Sequence, residues 1–244
     1  MKKFLATILL AGALVSSACA ADAPAPAQLT RFTVDVDYTT AAFGAVNSEL
    51  NKGTNVTVFG GGVAGYANLD LALLPILLVG VRGGYMYCMP AAADYVFGAL
   101  KETDNASLVP LEVGVSVNLE MPSMPVSVMA GVYGGYGLAN ASYKIDNTVL
   151  SQTYTQAYSG QSVIGEILAA INFKLSPGMS LNINGGYRVA KIAKMTLNED
   201  VNYTVLGVPV SAGKKGDVSK DSSGNNLEYD FSGLNIGAGI SMGF

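Results

Sequence analysis

The chain closes on Leu234-Asn-Ile-Gly-Ala-Gly-Ile-Ser-Met-Gly-Phe244, in which apolar residues alternate with small or polar ones. A β-strand has a two-residue side-chain period. Leu234, Ile236, Ala238, Ile240, Met242 and Phe244 therefore share one face, and Asn235, Gly237, Gly239, Ser241 and Gly243 the other. A strand of this kind belongs either to a soluble sheet, apolar side inward, or to a membrane barrel, apolar side toward lipid.

The opposite end of the chain narrows the choice. Residues 1–20 carry Lys2 and Lys3, then an apolar run over residues 4–15, then Ser16-Ser17-Ala18-Cys19-Ala20. This is the layout of an export signal, with Ala18 and Ala20 at the minus-three and minus-one positions of a cut before Ala21. A lipidated Cys19 is the competing reading, but Ser16 stands where a branched apolar residue is usual. Residues 21–28, rich in Ala and Pro, read as an extended leader, and residues 29–244 as the folded domain.

Half of the 244 residues are apolar and only 13% are charged, giving a mean hydropathy of +0.36. That is a surplus of apolar surface for an exported soluble domain. It cannot go into a transmembrane helix: residues 71–81 are interrupted by Pro75 and bounded by Asp70 and Arg82, well short of the roughly 18 apolar residues needed. Loss of Lys2 and Lys3 takes the formal charge from −4 to −6, which argues against nucleic acid as a partner. Histidine is absent, removing the commonest general base and metal ligand, and no cofactor or metal is expected. After cleavage Cys88 alone remains, so no intrachain disulfide is expected.

The terminal alternation recurs. It predicts strands over residues 31–38, 65–73, 77–87, 108–119, 126–138, 161–175, 179–189 and 234–244, eight in all. The fourth is the clearest, with Val109, Leu111, Val113, Val115, Val117 and Leu119 opposed to Pro110, Glu112, Gly114, Ser116 and Asn118. Tight joints at Pro75, Pro122-Ser123 and Pro177-Gly178 alternate with long polar ones at 39–64, 88–107, 139–160 and 190–226. Short turns on one rim and long loops on the other are the pattern of an eight-stranded antiparallel up-and-down β-barrel in the outer membrane, with periplasmic turns and extracellular loops.

Gly-Gly-Tyr begins at Gly83, Gly134 and Gly185, each 51 residues from the last, at the same point of three successive strands. Duplication of a hairpin or a common positional need accounts for the spacing. Tyr85, Tyr136 and Tyr187 then fall near the loop side of the apolar face, and Phe32, Phe173 and Phe244 near the turn side, as two membrane interfaces would select. A soluble lipocalin-like barrel would show the same period with its faces exchanged. The polar face here is mostly Gly, Ser, Asn and Ala with isolated charges, which suits a narrow lumen better than a water-facing surface.

At this point the chain resembles the small eight-stranded outer-membrane barrels, such as the barrel domain of outer-membrane protein A, outer-membrane protein X and the opacity proteins. The most specific match is the C-terminal signature, carried by Gly239, Met242 and Phe244, with Gly237 departing from the usual polar residue. The resemblance implies that these residues are read by the barrel-assembly machinery, that periplasmic chaperones escort the chain, and that outer-membrane lipids and lipopolysaccharide surround it. It also implies a monomer. The anchoring role of a peptidoglycan-binding domain is not expected to carry over.

Pairing strands about Pro177 sets Glu166 opposite Arg188 on the inner face, and Arg82 and Glu112 fall at similar heights on neighbouring strands. Asn68 or Asp70 should face Arg82. Buried ions need partners, so a lumenal network of opposite charges is expected. Three functions follow: a rigid plugged barrel serving envelope integrity or surface interaction with host or other ligands through its loops; a narrow pore gated by a Glu/Arg contact; and a lipid-modifying enzyme. The last lacks a histidine and any nucleophile with an adjacent base, so the chain reads as non-enzymatic. The polar loops, the longest with Lys191, Lys194, Lys214, Lys215 and Lys220, are expected either to carry recognition or to be mobile, variable coils with no single ligand.

Overall fold

The computed structural model describes residues 30–96, 98–121, 123–149, 151–205 and 208–243. The export signal, the leader, Leu29, Pro122 and Phe244 lie outside the described residues. Eight long strands form a closed ring: β1 (Thr30–Thr40), β2 (Gly61–Leu74), β3 (Leu77–Cys88), β4 (Leu100–Glu120), β5 (Val126–Asn147), β6 (Gln152–Ser176), β7 (Met179–Val189) and β8 (Gly233–Gly243). Each pairs antiparallel with its sequence neighbour, and β8 returns to β1 with Val34 opposite Ile240. No helix among the described residues is long and apolar enough to cross a membrane.

The direction of the faces separates the two kinds of barrel. Val36 is 65% exposed and Val113 63%, while Asp37 and Glu112, on the opposite faces of the same strands, are 1% and 4% exposed. Apolar side chains point out all round the ring, and the belt's charged side chains lie inside it, as lipid outside requires. Closing the ring leaves no unpaired strand edge in that apolar belt.

Eight strands leave an interior just wide enough for side chains, and inner-face glycines set what fits. The second glycine of each Gly-Gly-Tyr repeat faces inward where the adjacent strand comes close. A Cβ at Gly84 would meet the Tyr66 ring and the Gly65 carbonyl, at Gly135 the Leu111 carbonyl, and at Gly186 the Ile167 carbonyl, each carbonyl within 2.7 Å. The 51-residue spacing thus corresponds to a shared need for room inside, with the following tyrosine outward.

The loops are not simple coils. Three of the strands run beyond the belt, so the joint expected over 139–160 is largely a hairpin whose strands extend to Asn147 and from Gln152, and 100–107 is strand. Period-2 alternation continues there, but the outward side is polar, with Asn105, Ser107, Asn140 and Ser142. The remaining segments add a short helix α1 (Gly44–Leu50), small strands at Thr54–Thr57 and Ala91–Tyr95, and strand pairs within residues 190–232.

Candidate functional site

Arg82 stands opposite Asn68 on one side and Glu112 on the other. Its guanidinium reaches across the lumen, placing Nη1 2.7 Å from Glu166 Oε1 and Nη2 3.8 and 3.7 Å from carboxylate oxygens of Asp35 and Asp37. The planar group lies over the Tyr66 ring, 3.7 Å from its centroid. Three acids thus gather on one cation in a space that excludes solvent, with side chains 0–7% exposed. Asp70 goes elsewhere: Arg31 donates to it at 2.7 Å, and Asn68 at 3.0 Å. Glu112 has no hydrogen-bond or ion-pair partner among the described residues.

Arg188 requires a correction. The strand register does set it opposite Glu166, but its guanidinium turns toward the loop end and makes no ion pair among the described residues. It donates to the Phe231 carbonyl from Nε at 3.1 Å and Nη2 at 3.0 Å, to the Tyr66 hydroxyl at 2.8 Å and to Thr39 Oγ1 at 3.0 Å. The physical reason is competition. Glu166 is already paired with Arg82 at 2.7 Å, while a backbone carbonyl and two hydroxyls offer the guanidinium fork enough acceptors. Thr39 passes a hydrogen bond to Asn235, which donates to Glu166 at 3.1 Å. One hydrogen-bonded chain therefore runs from Phe231 to the Arg82 cluster. Toward the turn side the lumen is filled by Leu78, Met129, Tyr133 and Leu168, then by amide contacts among Asn172, Asn182 and Asn184.

Over the loop end sits a cap with its own apolar core, which Arg188 fastens to the barrel. The Asn47 side chain of α1 holds both backbone groups of Phe59, at 2.8 and 2.9 Å, closing the segment after β1 into a compact turn. Val46 and Leu50, one helical turn apart, are buried beneath it. Phe43 lies against Phe59 and edge-on to Phe231, with centroids 4.6 and 4.8 Å apart, and its left-handed φ of 25° holds the ring inward. Ala42 and Phe43 both donate to the Asp230 carbonyl. Ile192, Met195, Leu197 and Tyr229 complete the core. Sequence reading missed this cap because its apolar residues are dispersed through polar loops, without a helical or strand period. The one legible sign was alternation continuing into 100–107.

The remaining expected residues fall as follows. Tyr85, Tyr136 and Tyr187 point outward in the loop-side half, 49–60% exposed, while Phe32 and Phe173 point outward near the turns. Met242 is outward opposite Phe32, and Gly239 is inward opposite Asp35, where a Cβ would run into the Val34 carbonyl. Lys191 caps Glu228 and Asp230 at 3.2 and 3.1 Å, and these acids raise its pKa.

The family profile for the outer membrane protein beta-barrel domain matches residues 11–240. Among solved structures, the outer membrane protein OprG of Pseudomonas aeruginosa is 8% identical, with a TM-score of 0.51 over 89% of this chain and 97% of that one. Neisserial surface protein A is 12% identical, with a TM-score of 0.45 over 90% and 100% of the two chains. A major outer membrane protein of Thermus thermophilus is 14% identical, with a TM-score of 0.47 over 88% and 99%. No curated protein sequence matches the chain. With a ring of eight strands, an apolar outer belt and a family match over almost its whole length, the chain belongs to the outer membrane protein beta-barrel domain family and resides in the outer membrane.

Proposed function

We propose that this protein is a non-enzymatic, non-conducting barrel that serves surface interaction through a pre-folded extracellular cap. The observation that carries the reading is the continuous filling of its axis: Phe43 and Phe231 above, Arg188 and the Arg82 cluster below them, all at most a few per cent exposed. A rigid scaffold that displays ordered loops is the usual arrangement for recognition. Lipopolysaccharide and outer-membrane lipids are its expected surroundings. The barrel-assembly machinery is the expected reader of Gly239, Met242 and Phe244.

A narrow pore is the second reading, favoured by the ionic contacts at mid-lumen, which could part. Planar-bilayer recording of the purified protein separates the two. The proposal expects no steps above baseline. Unitary steps that change in Glu166→Gln or Arg188→Gln would establish the pore and refute it.

A further inference from the structure

The cap contains a cavity of about 360 Å³ whose wall combines tyrosines and acids. The acids come from β4 after it has left the apolar belt: Glu102 and Asp104 share the inward face with Ala106 and Leu108. In register, Asp104 lies between Ala91 and Tyr143, and Glu102 between Ala93 and Ile145. The two alanines leave room beside the carboxylates. Tyr143 meets Tyr158 edge-on, with centroids 5.4 Å apart, and Tyr95 joins them in the wall.

Asp104 is the member that the fold does not explain. It lines the cavity and is 1% exposed, yet neither carboxylate oxygen receives a hydrogen bond from a described residue. Buried acceptors are ordinarily satisfied, and one that is not points to a missing donor. Its acidic neighbour Glu102 can help only by sharing a proton. Burial, and then the charge of Glu102, push the Asp104 carboxyl up to about 9, and burial raises Glu102 as well. Lys52 is committed to Glu49, at 2.6 Å, and to the Ser222 hydroxyl. Lys220 lines the same cavity and makes no ion pair with either acid among the described residues.

The geometry points to a binding site for a small organic cation bearing N–H donors, a primary ammonium or guanidinium, with its head on Asp104 and Glu102 and its stem among Tyr95, Tyr143 and Tyr158. Aromatic faces and carboxylates together select organic cations, and the bare acceptors require donors, which a quaternary ammonium lacks. Among the described residues no group of three acids or thiols is placed to hold a metal ion. This site deepens the reading of the cap as a recognition surface and rests on it. Conductance tests that reading, and binding tests this one.

The test is calorimetric titration of the full chain in nanodiscs with 1-butylguanidinium, its uncharged isostere 1-butylurea, and the peptide Gly-Arg-Gly. Saturable one-site binding of butylguanidinium or the peptide is expected, at least tenfold weaker in Asp104→Asn and in Glu102→Gln, with the heat-modifiable gel shift unchanged in both. Butylurea should not bind, and Lys220→Met should leave affinity equal or tighter. Affinity should rise from pH 7 to pH 9 as Asp104 loses its proton beside Glu102. Burial keeps the facing Tyr95, Tyr143 and Tyr158 hydroxyls neutral over that range, Glu49 is already charged beside Lys52, and Lys52 and Lys220 lie on the same wall. Tighter binding of the peptide would place the head on a polypeptide, and tighter binding of butylguanidinium on a free metabolite. No saturable binding of either at pH 9, equal binding of butylurea, indifference to both acid substitutions, or loss of binding in Lys220→Met would overturn the proposal.

Discussion

Replacing Arg82 with methionine removes the one cation within 4 Å of Asp35, Asp37 and Glu166 among the described residues. Breaking a buried ion pair from one side costs about 3–5 kcal/mol, because the surviving charge is left without compensation. Three acids are stranded here, and the contact over Tyr66 adds about 0.5–2 kcal/mol, so the expected loss is at the upper end, about 4–6 kcal/mol. Glu166→Gln alone leaves Arg82 with Asp35 and Asp37 and should cost about 1–2 kcal/mol, the scale of one charge-assisted hydrogen bond. In the double variant, removal of the nearest stranded charge should recover about 1 kcal/mol relative to Arg82→Met, which with the cost of Glu166→Gln makes a coupling of about 2–3 kcal/mol, within the range for groups in direct contact. Urea unfolding in phospholipid vesicles measures all three variants. Far-UV circular dichroism and the heat-modifiable gel shift are the probes of choice, since the chain has no tryptophan. The reasoning is refuted if Arg82→Met lies within about 1 kcal/mol of the parent, or if the double variant is the simple sum of the singles.

Arginine at Val113, in the middle of the outer belt, should cost about 2–4 kcal/mol in the same assay, against about 0–1 kcal/mol for Val189→Arg near the loop-side interface; equal effects would contradict the placement of the belt. Truncating Phe43 or Phe231 to alanine should cost the cap about 3–5 kcal/mol. Limited proteolysis should then cut residues 41–60 sooner while the gel shift of the barrel persists. Asp104 keeps its proton in the folded cap up to about pH 9, whereas the unfolded chain releases it near the ordinary carboxylate value of about 4. Cap stability should therefore fall as pH rises through that window, and Asp104→Asn should flatten the slope. Hydrogen exchange of residues 91–104 as a function of pH checks this, and an unchanged slope would show that the carboxyl is not buried as described.

The barrel was legible because lipid imposes a rule at every position of a strand: one face apolar, the next not. Val109 to Leu119 spell it out, and the register about Pro177 followed from counting residues back from the turn. Arg188 shows where such counting stops. Its backbone position was readable, but the direction of a long flexible side chain depends on acceptors supplied by Phe231 and Thr39, far away in sequence. The cap was hidden for a related reason. Phe43, Phe59 and Phe231 come from segments with no common period, and only closure of the ring brings them together. Asp104 read as one polar loop residue among many, because the desolvation that makes it unusual is produced by Ala91 and Tyr143 on other strands.

The seam between β8 and β1 joins residues about two hundred positions apart, the most distant pairing in the ring. On its inner side Gly237 and Gly239 lie so close to β1 that a methyl group would strike the carbonyls of Val36 and Val34. Contacts this remote in sequence form late, since the intervening chain must be ordered first. The growing barrel would therefore spend its assembly as an open sheet with Asp35 and Asp37 along one free edge strand, facing the Arg82 that will neutralise them. Closure then resembles fastening a zip whose last teeth fit only without side chains. The step that commits the barrel is the arrival of a glycine strand, and any bulk added there would be felt as slow insertion before it was felt as lost stability.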